Sequence, residues 1–161
     1  MNPSSLPPEL QEQFKRLRHV GFLQYAADFA EAARRAPARR TFSPVPYMLF
    51  CRSIELSLKA FLLAGGVGLD ELASRDLGHN LVRLLARADH AGLQATVTLT
   101  ARQRGHIKKA HVYYSDKGFE YFKVLAEVFG RKQLPSLTVL AETAGLLHNH
   151  VRTYVSNRDD G

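Results

Sequence analysis

SPVPYMLFCRSIELSLKAFLLAGG, residues 43–66, is the stretch whose reading decides the fold. Pro44 and Pro46 suit a helix start, where a missing N–H costs nothing. Gly65 and Gly66 suit its end, where a left-handed residue is needed. Between them Leu49, Phe50, Cys51, Ile54, Leu56, Leu58, Phe61, Leu62 and Leu63 cover most of the helical circumference. One narrow polar stripe remains, Arg52, Glu55 and Lys59, at i, i+3 and i+7. A helix that is apolar nearly all round is buried, so this one is expected at the centre of a bundle.

The flanking sequence has the same periodicity. Pro8 to Ala36 reads helical, with one apolar row at Leu10, Phe14 and Leu17 and a second at Phe22, Tyr25, Ala26, Phe29 and Ala33. Gly21 is a candidate bend. Arg34, Arg35, Arg39 and Arg40 form a basic corner before the central helix. After Gly66 a connector leaves room for one helical turn at Asp70–Ser74. Gly78-His79-Asn80 then opens a helix whose inner row is Leu81, Leu84, Leu85 and Ala88, with Asn80 or His79 as its cap. Ala91–Leu99 reads as a loop with room for a short extended piece. Thr100–Tyr114 is a basic helix capped by Thr100. Pro135 and Ser136 start the last helix, with a long apolar face from Leu137 to Val155.

Together these elements predict an all-α fold, an up-and-down bundle of five or six helices, with a short irregular or β segment near residues 119–134. The domain spans residues 8–156, between a disordered lead at 1–7 and a polar tail at 157–161.

Composition narrows the function classes. With 161 residues there is chain enough for one core without metal or disulfide support. The single cysteine, Cys51, excludes a disulfide framework within the chain, which fits a reducing cytoplasm. No apolar run approaches the ~20 residues of a membrane span. No Cys/His cluster has zinc spacing, so no metal and no cofactor are expected. The glycines at 65, 66 and 68 follow a helix and lack the lysine of a phosphate loop. The net charge of +7 attracts polyanions, with nucleic acid the first candidate.

Two stretches carry a resemblance. SIELSLKAFLLAGG (53–66) followed by GHNLVRLLARA (78–88) resembles the HEPN superfamily of prokaryotic helical domains. Those domains place a Glu–Lys-bearing apolar helix before a turn, then a helix opening with His-Asp-Leu. Glu55 and Lys59 match the first pattern. His79, Asn80 and Leu81 match the second, with Asn for the commoner Asp. The Glu55–Lys59 spacing also reads as a plain i, i+4 ion pair.

The resemblance implies a homodimer in a cytoplasmic toxin–antitoxin or defence system. Many members are metal-independent endoribonucleases whose signature is Arg, four to six residues, then His. Arg104 and His111 fit, with six residues between, although the usually polar position after the Arg is Gly105. Arginine suits a phosphate and histidine suits proton transfer near neutral pH. Arg102, Lys108, Lys109 and Tyr114 on the same helix are candidate RNA or nucleotide contacts, although aromatics so placed are more often core and turn anchors, the reading favoured for Tyr114 and Phe119. Two alternatives stay open: a non-catalytic module that binds a partner protein such as a nucleotidyltransferase or an antitoxin, and a basic helical nucleic-acid-binding protein using the arginine corner.

Overall fold

The computed structural model describes residues 6–37, 42–121 and 133–159. Seven helices occupy them: α1 (Pro8–Arg35), α2 (Pro44–Ala64), α3 (Leu69–Ala73), α4 (Leu81–His90), α5 (Leu93–Thr96), α6 (Ala101–Ser115) and α7 (Leu137–Asp159). Among the described residues there is no strand. The fold is an all-helical bundle in which α2 touches α1, α4, α6 and α7.

The ends of α2 follow from its sequence. Ser43 is extended and Pro44 begins the helix. At the far end Gly66 takes φ +93°, the left-handed region that only glycine enters cheaply. Val67 N–H then donates to Leu62 O at 2.9 Å and Gly66 N–H to Leu63 O at 3.0 Å, the paired bonds of a Schellman stop. Ile54, Leu58, Phe61 and Leu62 are fully enclosed. Each such side chain contributes about 1.5–3 kcal/mol by leaving water.

The remaining helices are started by local side chains. The Asn80 side chain accepts from Arg83 N–H at 3.0 Å and opens α4. Thr100 and Gln103 form a reciprocal capping box at the head of α6. The Ser136 hydroxyl accepts from Val139 N–H at 3.4 Å at the head of α7. Ala91–Leu99 contains the single turn α5 rather than a plain loop, entered through Gly92 at φ +91°.

Three details depart from the sequence pattern. α1 runs through Gly21 without a break. The row Leu10, Phe14 and Leu17 lies exposed, and α1 packs instead through Leu23, Ala26, Ala30 and Ala33. With 28 residues against 21, α1 is about 42 Å long and α2 about 31 Å, so the first turns of α1 have little of α2 to cover. The last helix continues through Asn157, Arg158 and Asp159. Phe119 is buried in a turn and stacks between Tyr47 and Tyr113, with centroids 5.4 and 5.3 Å away. The rest of the 119–134 segment, residues 122–132, lies outside the described residues, as do 1–5 of the lead, Arg39 and Arg40.

Candidate functional site

The polar stripe of α2 becomes the centre of a buried charge cluster. Residues three, four and seven apart share one helix face, so Arg52, Glu55 and Lys59 point the same way. That face meets His79, just before α4, and Tyr114, in the last turn of α6. The Glu55 side chain is 0% exposed, yet no part of its carboxylate is without a partner. Oε1 accepts from Lys59 Nζ at 2.7 Å and Arg52 Nη1 at 3.1 Å. Oε2 accepts from the Tyr114 hydroxyl at 2.5 Å and Arg52 Nη1 at 3.2 Å, with His79 Nδ1 also at 3.2 Å. Lys59 Nζ further donates to Gly78 O at 2.6 Å, tying α2 to the turn before α4.

Electrostatics explain why the arrangement is stable. Burial alone would raise the Glu55 carboxyl, but Lys59, the Tyr114 hydroxyl and Arg52 outweigh it and hold the group below its ordinary value. Burial and the Glu55 charge together push the Tyr114 phenol up, so it stays a donor. His79 Nδ1 lies 3.2 Å from both Glu55 Oε2 and Arg52 Nη1. Arginine only donates and a carboxylate only accepts. Arg52 Nη1 already serves both carboxylate oxygens, so the consistent tautomer places the proton on Nδ1, donating to Glu55. His79 Nε2 is then the ring atom offered to a ligand.

The cluster opens onto a pocket of about 470 Å³. Phe29, Met48 and Leu49 make its apolar wall, Arg52, His79 and Tyr114 its polar side, and Lys117 and Glu120 part of its rim. Exposure rises outward, from 10% at the Lys59 side chain to 35% at Arg52 and 67% at His79. Arg52 and Lys59 against Glu55 leave one positive charge in excess. An apolar wall beside a guanidinium and an imidazole can hold a flat ring and an anionic group together.

The Arg104–His111 pair is placed differently. Arg104 grips Asp89 of α4 with both terminal nitrogens, Nη1 to Oδ2 at 2.6 Å and Nη2 to Oδ1 at 2.9 Å. That bidentate bond raises the guanidinium further, against the opposing effect of burial. His111 is half-buried, its Nδ1 enclosed without a hydrogen-bond partner, and burial with the nearby Arg83 lowers its proton affinity. Neither residue lines the pocket at Arg52. Arg102, Lys108 and Lys109 are exposed on the outer face of α6. Tyr114 does not join them: it is buried, with its hydroxyl on Glu55.

Other basic and titratable residues are engaged elsewhere. In the arginine corner, Arg34 and Arg35 pair with Glu31 at 3.9 and 2.8 Å. His106 Nδ1 accepts from Ser136 N–H at 2.9 Å and pins α6 to α7. His148 is half-buried on α7, its proton affinity lowered by burial, Arg152 and Arg34. Cys51 is buried and its thiol is pushed up by burial and then by Glu55. Among the described residues no group of three or more His, Cys, Asp or Glu could hold a metal ion, and no helix is long and apolar enough to cross a membrane.

Sequence reasoning did not find Asp89 as the partner of Arg104. Nor did it find Phe29, Met48, Leu49, Lys117 and Glu120 as pocket residues, because each reads locally as ordinary helix or turn. In comparisons with known proteins, no family model matches the chain, and neither a curated protein nor a solved structure matches it.

Proposed function

We propose that the chain is a HEPN-like protein that engages RNA or nucleotides at the pocket beside Arg52 and His79. One observation carries the reading: a fully buried carboxylate, Glu55, holds Arg52 and His79 together at the mouth of an apolar-walled pocket. Arg52 takes a phosphate, His79 Nε2 takes a neighbouring hydroxyl, and Phe29, Met48 and Leu49 receive a base. The excess charge of the whole chain favours the same ligands. Cleavage by Arg104 and His111 is not part of this reading. Asp89 already fills the Arg104 fork, and a phosphate would have to displace it.

Titration of a fluorescently labelled single-stranded RNA and of labelled mononucleotides, followed by anisotropy at low salt, tests the site. His79→Ala and Arg52→Ala are expected to weaken binding tenfold or more, and Arg104→Ala less than twofold. Circular dichroism checks that the variants fold. His79→Ala binding as tightly as the parent removes the pocket from the function. RNA cleavage in excess chelator that is abolished by His111→Ala restores the nuclease reading instead.

A second reading, a HEPN-like module docking a partner such as a nucleotidyltransferase or an antitoxin, is favoured by the exposed Leu10, Phe14, Leu17 and Val20 on the first half of α1. Coexpression with a nucleotidyltransferase, should a neighbouring gene encode one, tests it. Co-purification that survives Leu17→Glu argues against this surface.

A further inference from the structure

The rim of the Arg52 pocket carries an acidic group that the cluster at Glu55 does not use. Glu120 is exposed, lines the pocket, and has no side-chain bond or ion pair among the described residues. Its place along the pocket follows from its neighbour in the chain: Phe119 stacks on Tyr47, with centroids 5.4 Å apart. Tyr47 precedes Arg52 on α2 by five residues, about 7.5 Å at 1.5 Å each. Met48 and Leu49 of the apolar wall lie between them. The pocket thus has a guanidinium and an imidazole at one end, an apolar middle, and a carboxylate at the other end. Lys117, in the same turn as Glu120, has its Nζ over the Tyr121 ring, 6.0 Å from the centroid.

A ligand matched to this order has an anion at one end, a flat apolar body, and hydrogen-bond donors at the other end. The carboxylate repels a phosphate, so a nucleotide enters with its phosphate toward Arg52 and its base edge toward Glu120. An ionised carboxylate only accepts, and it does so through two oxygens side by side. Among the four RNA bases, guanine alone presents two adjacent donors on its pairing edge, N1–H and the N2 amino group. Adenine and cytosine set a ring-nitrogen acceptor beside their single amino group, and uracil flanks N3–H with two carbonyls. Each of those three turns a lone pair toward the carboxylate. We propose that the pocket selects guanine, with Glu120 as the residue that reads the base. The proposal deepens the nucleotide reading of this pocket and rests on it.

Displacement of a labelled single-stranded RNA by the 5′-monophosphates of guanosine, inosine and adenosine tests the proposal, in the parent and in Glu120→Ala. Removing a charge shifts the affinity of all three anions alike, so the ratios between them isolate the base. Inosine keeps N1–H and lacks the N2 amino group. In the parent the guanosine nucleotide is expected to compete about tenfold better than the adenosine nucleotide, within the range of a bidentate base contact, with inosine between them. In Glu120→Ala the three are expected to compete within about twofold of one another, the bidentate contact being lost. Glu120 is exposed, and circular dichroism checks that the variant folds. The proposal is overturned if the adenosine or inosine nucleotide competes as well as guanosine in the parent, if none of them competes, or if the guanosine preference survives Glu120→Ala. Equal competition by all three that Arg52→Ala weakens overturns the guanine assignment and leaves the nucleotide pocket standing. Absence of binding by RNA and mononucleotides alike overturns both.

Discussion

Replacing Lys59 by methionine should destabilise the fold by about 3 kcal/mol. Methionine preserves most of the stem that crosses the apolar interior, so the change acts on the charge. Lys59 Nζ sits 2.7 Å from Glu55 Oε1, a bare attraction of about 6 kcal/mol at an effective dielectric of 20. Removing one partner of a buried pair costs about 3–5 kcal/mol net, because the other charge stays behind. Arg52 and His79 still face Glu55, which places the loss at the low end of that range. For a chain of this size about 3 kcal/mol corresponds to a melting temperature roughly 6–12 °C lower. Urea unfolding followed by far-ultraviolet circular dichroism gives the difference directly. Adding Glu55→Leu to Lys59→Met should then recover part of that loss, since the fully buried charge is gone and the Arg52 left behind is about one-third exposed to water. In that double variant the Tyr114 hydroxyl keeps its side-chain bond with Arg52 but loses its carboxylate acceptor, at about 1–3 kcal/mol, and a third change, Tyr114→Phe, should relieve part of it. A loss below 1 kcal/mol for Lys59→Met, or a double variant weaker than the sum of its singles, would refute the reasoning.

Tyr114→Phe alone removes the 2.5 Å bond to a buried carboxylate and should cost about 1.5–3 kcal/mol in the same unfolding assay. Thr100→Ala breaks the capping box of α6 and should cost about 1 kcal/mol, with little effect on ligand binding at the Arg52 pocket. Stability should fall on acidification in two stages. His106, His111 and His148 each bind protons less readily folded than unfolded, so their contribution is complete above about pH 6.5 and is lost as pH falls below it. The lowered Glu55 carboxyl adds a further loss below about pH 4. A melting temperature that is flat or rising from pH 8 to pH 5 would contradict the histidine assignment.

The architecture was legible because its signals are local. The near-continuous apolar surface of α2, Thr100 at the head of α6 and Ser136 at the head of α7 each act within a turn or two. Glu55 and Lys59 were visible as an i, i+4 pair on an otherwise apolar helix. Their burial and their partners were not, since Tyr114 lies 59 residues away from Glu55 and meets it only when α6 packs on α2. The same limit governed Arg104. An arginine seven positions before a histidine suggests a phosphate site, but Asp89 on the facing helix fills that fork first. The amphipathic row Leu10, Phe14 and Leu17 has a core pattern and lies exposed, because periodicity marks an apolar face without saying what covers it.

The central claim is that Glu55 sits fully enclosed and ionised, bonded at both oxygens, and so joins the bundle to its pocket. A carbon-13 NMR titration of the Glu55 side-chain carboxyl reads this directly. An apparent pKa below the ordinary glutamate value of about 4.3 is predicted. A value at or above it would mean a solvated or an unpaired carboxyl, and would contradict the account.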